Sequence, residues 1–306
     1  MATESLGAPR QLGLAGWRAR NQSLIDEWRR GIYRFRQSRL SIVGLVVILF
    51  LVAVALVGPF LVPYPDDGST ALHVADRLKA PNAAHWFGTD DLGRDIFTRV
   101  VLGTGIALEV GVLVLVVAMG IGVPLGATAG YFGGFVDDLI MRVTDIFLTI
   151  PGLILAFGFA AALGPGLTNA MLAVSLVWWP GFCRLTRGQV LQIREEDYVT
   201  TARSLGASPW RVLFVHIIPN SLSPLIVKAS LDIGFVILTA AALGFLGIGA
   251  QPPTPDWGAM VSYGRKYLPV WWWYAVFPGM AIFMTVFAFN LLGDGLRDLF
   301  DPRTRR

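Results

Sequence analysis

The chain has 306 residues, 54% of them apolar and only 15% charged, with a mean hydropathy of +0.59. Soluble domains carry about 25% charged residues, so lipid rather than water is expected around much of this chain. The single cysteine, Cys183, excludes an internal disulfide, and the three histidines, His73, His85 and His216, fall in no metal-ligand spacing.

The chain starts with an arm, residues 1–39, that holds eight arginines and no long apolar core. It is therefore not expected to be a cleavable signal peptide. The charge-free run Leu40–Pro65 that follows is long enough to cross about 30 Å of hydrocarbon. Its apolar residues are continuous rather than alternating, which predicts helix, because lipid satisfies no backbone hydrogen bond. Six such spans are expected, at about 41–63, 105–127, 140–163, 167–184, 222–249 and 269–292. Gly164-Pro165-Gly166 separates the third from the fourth and predicts a hairpin.

Eighteen of the 25 Lys and Arg residues fall on the side that carries both termini and the 2–3 and 4–5 connections. Six fall on the other side, and Lys228 lies within the fifth span. The positive-inside rule places both termini in the cytoplasm. The net charge of +4 is this asymmetry and gives no ground for nucleic-acid binding. Trp271, Trp272, Trp273 and Tyr274 at the start of the sixth span read as an interfacial belt, as do Trp178 and Trp179 towards the inner end of the fourth. Gly122, Gly126, Gly130 and Gly134 recur every four residues and predict a flat packing ridge.

The longest internal cytoplasmic connection is 185–221. Tyr198, Ala202 and Leu205 fall at i, i+4 and i+7, an apolar stripe on a short helix whose start carries Glu195, Glu196 and Asp197. Gly206 supplies a left-handed stop, and Ser208-Pro209 reads as the cap and first residue of a second helix. Pro219 is expected to end that helix, and Ser223-Pro224 to begin the fifth span. A helix–turn–helix with small residues at the bend suits either insertion into a partner's groove or a plain connector. In the fifth span, Lys228 and Asp232 stand at i and i+4. They read either as part of a translocation pathway or as a neutralised structural pair.

These residues carry a resemblance. Permease subunits of ATP-binding-cassette importers contain E-A-A-x3-G-x9-I-x-L-P before their penultimate span. Thr200, Thr201 and Ala202 stand at the E-A-A positions, Gly206 at the glycine, and His216, Ile218 and Pro219 at the I, L and P positions. FGTDDLGRDIFTR (87–99), YFGGFVDDLIMRVTDI (131–146), AALGFLGIGAQPPTPDWGAM (241–260) and FNLLGDGLRDLFDP (289–302) resemble the C-type subunits of dipeptide and oligopeptide permeases. The resemblance covers about 35–303.

The resemblance implies an all-α integral membrane protein of type I importer permease architecture in the bacterial cytoplasmic membrane. Its parts would be an N-terminal arm (1–39), a first span (40–64), a periplasmic loop (65–100), a core permease domain (101–293) containing a coupling loop (185–221), and a tail (294–306). Tyr198, Ala202, Arg203, Gly206, Ala207 and Pro209 would dock on an ATPase. Partners would be a second permease subunit, two ATPase subunits and an extracytoplasmic solute-binding protein. The loops at about 64–100 and 250–268 would meet the binding protein. No Gly-Lys pair occurs, so no G-x-x-x-x-G-K-[ST] phosphate loop exists in this chain. ATP and Mg would sit on the partner ATPases, with no cofactor here and no catalysis. Cargo would be dipeptides or short oligopeptides; nickel chelates, antimicrobial peptides or opines are the alternatives. A channel or an intramembrane enzyme is more remote: no selectivity filter is legible, no G-x-S-x-G occurs, and the histidines lie in loops.

Overall fold

The computed structural model describes residue 33 and residues 35–300; most of the basic arm and the end of the tail lie outside them. Every regular element described is helical. Helix α1, Arg39–Leu61, opens on Ser38, whose side chain accepts from the Ser41 amide at 3.3 Å. Helix α2, Ile96–Phe132, opens on Asp95, which accepts from the Thr98 amide at 2.8 Å. At 37 residues α2 is about 55 Å long, so its two ends define the two ends of the molecule. Then come α3, Gly134–Thr149; α4, Gly152–Leu163; α5, Leu167–Ile193; and a short α6, Asp197–Ser204. Helix α7, Pro209–Phe245, is followed by α8, Trp257–Gly264, and α9, Trp273–Phe300.

Helices α1, α2, α7 and α9 are each long and apolar enough to cross a membrane. The core lies between α2 and α5. A methyl group at Gly122 or Gly126 would overlap the Trp179 or Cys183 carbonyl, and one at Gly130 would sit 2.9 Å from the Arg187 carbonyl. Backbones meet there without side chains between them, as a small-residue ridge permits. Val114, Ala118, Val174, Phe182 and Cys183 fill the same seam with no exposed surface. Helix α1 reaches α9 in the same way: a Cβ on Gly44 would lie 2.8 Å from Leu291.

Four expectations need correction. The third span is not one helix: α3 and α4 meet at 94°, broken at Ile150-Pro151. Proline lacks the amide that would continue the ladder and pushes the preceding residue out of the α region, where Ile150 sits at φ −93, ψ 133. The helix at the expected fourth span does not stop near 184 but runs to Ile193, and it is not among the helices apolar enough to cross on composition alone; Trp178 and Trp179 lie near the middle of α5, with Trp179 in the core. Trp273 and Tyr274 are buried against Ile96, Trp257 and Met260 rather than set in a belt, and α9 begins only at Trp273. Pro219 and Pro224 break nothing, because α7 continues through both. A π-helical turn at Val212–Ile217 precedes Pro219, and the Ile218 amide reaches back to Leu213. The extra residue of that turn is absorbed where proline has no amide to donate.

The Gly164-Pro165-Gly166 hairpin between α4 and α5 forms as expected. The Gly166 amide donates to the Ile248 carbonyl at 3.1 Å, which places the turn at the end of the bundle where α7 finishes.

Candidate functional site

At the C-terminal end of α2 the chain makes an elbow, α6–Gly206–α7. Glu196 caps α6 in an extended conformation. The Gly206 amide closes the helix on the Arg203 carbonyl at 2.9 Å, and Gly206 takes φ +82, the left-handed region that glycine occupies without strain. The Ser208 side chain accepts from the Arg211 amide at 3.4 Å, and Pro209 follows it. The turn therefore forms by the chemistry read from the sequence.

The inward face differs from expectation. The elbow is held by Val199, fully buried against Ala127, Val190, Val212, Leu213 and Ile217. Tyr198 and Leu205 are exposed, Leu205 at 83% of its surface, and Ala202 is half-buried. A short helix with one buried residue leaves the periodicity too weak to orient it. Among the expected docking residues, Tyr198, Arg203, Gly206 and Pro209 are exposed, and Ala202 and Ala207 are half-buried. The Arg203 guanidinium lies 5.1 Å from the centre of the Tyr131 ring, a cation–π contact that ties α6 to the end of α2. The Tyr198 hydroxyl accepts from Asn220 Nδ2 at 3.2 Å; partial desolvation, and then the nearby Glu196 charge, raise its pKa above the usual phenol value. Trp210, exposed and edge-on to Phe132 at 5.6 Å, belongs to the same surface; sequence periodicity gave no sign of it.

Ion pairs fix what the elbow grows from. Arg187 of α5 grips Asp137 of α3 with two hydrogen bonds of 2.5 and 2.6 Å, and Arg194 donates to the Gly130 carbonyl at 2.8 Å. Arg184 reaches Asp145 at 2.5 Å. Bidentate arginine–carboxylate geometry is both strong and directional, so α3, α5 and the end of α2 form one rigid base.

Within α7, Lys228 Nζ lies 2.8 Å from Asp232 Oδ2. Charges at the centre of a spanning helix cost about 2.5–3.5 kcal/mol each by insertion scales, and pairing offsets part of that. Nζ also lies 5.2 Å from the centre of the Phe182 ring of α5, where Gly181 leaves room for it.

The opposite end of the bundle is capped by a headpiece made of residues 62–95 and 246–272. Asp67, only 1% exposed, organises it: Oδ2 accepts from the Asp95 amide at 2.7 Å and Oδ1 lies 2.9 Å from His73 Nε2. Asp95 in turn lies 3.0 Å from His85 Nδ1. Arg99 donates to the Asp67 carbonyl at 2.8 Å and to the Pro253 carbonyl at 3.3 Å, joining the two stretches. Asp90 pairs with Arg94 at 2.7 Å, and Asp91 accepts from Tyr274 at 2.9 Å and Tyr267 at 3.2 Å. Asp256 caps α8 by accepting from the Ala259 amide at 2.9 Å, and desolvation against α7 raises its pKa to about 6. Sequence reading took about 64–100 and 250–268 as separate loops. The bonds that fuse them, such as Arg99 to Pro253, span 154 positions and leave no local pattern.

Among the described residues no group of three or more His, Cys, Asp or Glu could hold a metal ion.

Residues 122–306 match the family described as binding-protein-dependent transport system inner membrane component, and residues 27–81 match the N-terminal TM domain of oligopeptide transport permease C. The chain is 47% identical to the probable D,D-dipeptide transport system permease protein of Escherichia coli (strain K12), covering 89% of this chain and 90% of that one. It is 43% identical to the dipeptide transport system permease protein of Alkalihalophilus pseudofirmus, over 92% and 91% of the two chains. It is also 43% identical to a glutathione transport system permease protein of Pectobacterium atrosepticum, over 94% of each. The fold is similar to that of the MetNI methionine ABC transporter in an inward-facing conformation, with TM-score 0.54 and 19% identity over 67% of this chain and 98% of that one. The chain therefore belongs to the inner-membrane permease components of binding-protein-dependent ABC transport systems.

Proposed function

We propose that this chain is one of two permease subunits of a bacterial ATP-driven importer for dipeptides or short oligopeptides. The observation that carries the reading is an exposed helix–glycine–helix elbow on a rigid base, in a chain whose relatives over nine-tenths of their length are dipeptide and glutathione permeases. Counting the bent pair α3–α4 as one crossing and α5 as another, the chain crosses six times, with both termini and the elbow in the cytoplasm and the headpiece outside. The Lys and Arg distribution supports that direction.

On this reading Tyr198, Ala202, Arg203, Gly206, Ala207 and Pro209, together with Leu205 and Trp210, form the surface that sits in a groove of a separate ATPase subunit. Exposed apolar side chains beside a glycine bend offer close, dry contact. Closure of two ATPases around ATP and Mg moves the elbows. The rigid base of α3 and α5 then carries the movement into the spans. The headpiece, fixed in shape by its buried carboxylates, receives the loaded solute-binding protein. Cargo crosses between the two permease chains, along a path that includes the Lys228–Asp232 face of α7. This chain performs no chemistry on the cargo.

The test is reconstitution of the chain with its second permease, ATPases and binding protein in the cytoplasmic-membrane lipid of a bacterium. A stable complex whose ATP turnover rises with peptide-loaded binding protein is expected. A chain that assembles with no ATPase under these conditions contradicts the reading.

A further inference from the structure

The break between α3 and α4 is exposed. Thr149, Ile150, Pro151 and Gly152 all lie on the surface of the chain. Sixteen residues of α3 precede the break and 12 of α4 follow it, so it falls near the middle of the bent pair. Its backbone is incompletely paired. The Pro151 carbonyl accepts from the Ile154 and Leu155 amides at 3.0 and 3.1 Å. Among the described residues no carbonyl accepts from the amides of Ile150, Gly152 or Leu153. Irregular backbone at membrane depth persists only where protein buries it or water reaches it. This chain does not bury it.

The outer face of α3 points to water. Asp138, Arg142, Asp145 and Thr149 stand at i, i+4, i+7 and i+11 and are all exposed. They form one polar stripe from the elbow end of α3 to the break. Asp145 is tied to Arg184 of α5 at 2.5 Å, yet the two side chains stay 58% and 56% exposed. Arg142 pairs with no carboxylate among the described residues. Neither lipid nor a dry protein contact suits a free arginine and an open ion pair. Beside this stripe Phe135, Leu139, Val143 and Ile146 form a second one, exposed and wholly apolar.

We infer that the stripe Asp138–Arg142–Asp145–Thr149 and the break at Ile150–Gly152 form this chain's part of the wall of the aqueous passage by which cargo leaves towards the cytoplasm. The charges hold water from the elbow end to mid-membrane, and the unpaired amides at the break are hydrated from it. The stripe carries both signs, so each end of a zwitterionic cargo stays solvated or paired along it and neither is held fast. The apolar stripe turns away from the passage.

The inference rests on the reading of α3–α4 as one crossing of a peptide importer's permease. The experiment introduces cysteines into the complete complex: Thr149→Cys and Gly152→Cys at the break, and Ile146→Cys on the apolar stripe. A Cβ on Gly152 would meet Val177 at 3.4 Å, an ordinary contact, and the native Cys183 is buried, so the parental chain is the blank. The complexes in lipid nanodiscs are treated with a membrane-impermeant methanethiosulfonate bearing a trimethylammonium group, and modification is read as the mass of this chain. Only a thiolate reacts, and thiolates form in water, so Thr149→Cys and Gly152→Cys are expected to react at least about tenfold faster than Ile146→Cys. The modified complexes are then reconstituted with loaded binding protein. Dipeptide uptake by the two modified break variants is expected to fall at least about tenfold against the untreated variants, with ATP turnover within about twofold. Because the adduct is added after assembly, its effect is not one of folding.

Reaction at both break positions as slow as at Ile146→Cys overturns the inference, since lipid or protein then covers the break. Fast reaction with uptake unchanged overturns it too, because the surface is then wet but off the route. So does failure of both break variants to assemble, because the break is then needed for packing. An untreated parental complex that takes up no dipeptide contradicts the peptide reading instead, while the contrast in reaction rates between the two stripes still tests the wall.

Discussion

The two ends of α2 are built on opposite principles. At the headpiece, Asp67, Asp90, Asp95, Arg94 and Arg99 are all nearly or wholly buried and linked through backbone and side-chain hydrogen bonds. At the elbow, Val199 is the one fully buried side chain of α6, the contacts of Arg203 with Tyr131 and of Tyr198 with Asn220 are made by exposed side chains, and most of the other side chains from Asp197 to Arg211 face outward. Buried polar networks fix one shape and are costly to break. A segment with few buried contacts opens at low cost. The headpiece thus has one fixed shape, whereas the elbow is held by few buried contacts.

This contrast can be broken most severely at Asp67. Asp67→Ala leaves the Asp95 amide without its acceptor and His73 without its partner, and is expected to destabilise the headpiece by about 3 kcal/mol. Thermal unfolding of the purified complex measures it, and an unchanged transition means the headpiece is not the rigid end. Val199→Asp puts an unpaired charge into the small elbow cluster. The elbow can release α6 rather than unfold the bundle, so the stability loss should stay below about 2 kcal/mol while peptide uptake falls about tenfold. A large drop in global stability would make elbow and headpiece alike.

Gly206→Leu forces a branched side chain into φ +82 at about 1–2 kcal/mol and fills the bend. ATP hydrolysis is expected to persist while uptake per ATP falls; uptake at the parental level would remove the elbow from coupling. The last effect is one of pH alone, at Asp256. Its pKa, raised from 3.8 to about 6 by burial, means that the native state holds its proton where the unfolded chain has lost it. Its contribution to stability is full below about pH 4 and is lost as pH rises through about 6, by about 3 kcal/mol in all. Asp256→Asn keeps an acceptor for the Ala259 amide and should flatten that slope, as unfolding midpoints between pH 4 and 7 would register.

Local chemistry was legible in the sequence, and long-range geometry was not. The stop at Gly206, the cap at Ser208 and the Lys228–Asp232 pair each depend on residues within a turn or two and stand as expected, as do Gly122, Gly126 and Gly130 of the glycine ridge; Gly134 does not join the ridge, because α2 ends at Phe132 and Gly134 turns at φ +57 into α3. The break at Pro151 was missed because an apolar run reads alike whether straight or bent; the proline was the available signal. Pro219 and Pro224 misled in the other direction, since a π-turn and the rest of the bundle carry α7 through them. Val199 was missed because Tyr198 offered an equally apolar stripe one residue away, and only packing against Ala127, Val190 and Ile217 decides between them. The headpiece network includes bonds between positions 28, 154 and 183 residues apart, which no local period encodes.

The most direct measurement is ATP-dependent uptake of a labelled dipeptide into proteoliposomes holding the complete complex, with the binding protein supplied. Uptake that requires ATP, that unlabelled dipeptides compete with, and that Gly206→Leu abolishes while ATP turnover continues is the expected result. Dipeptide uptake that is independent of ATP, or unchanged by that substitution, would contradict a peptide permease driven through the elbow.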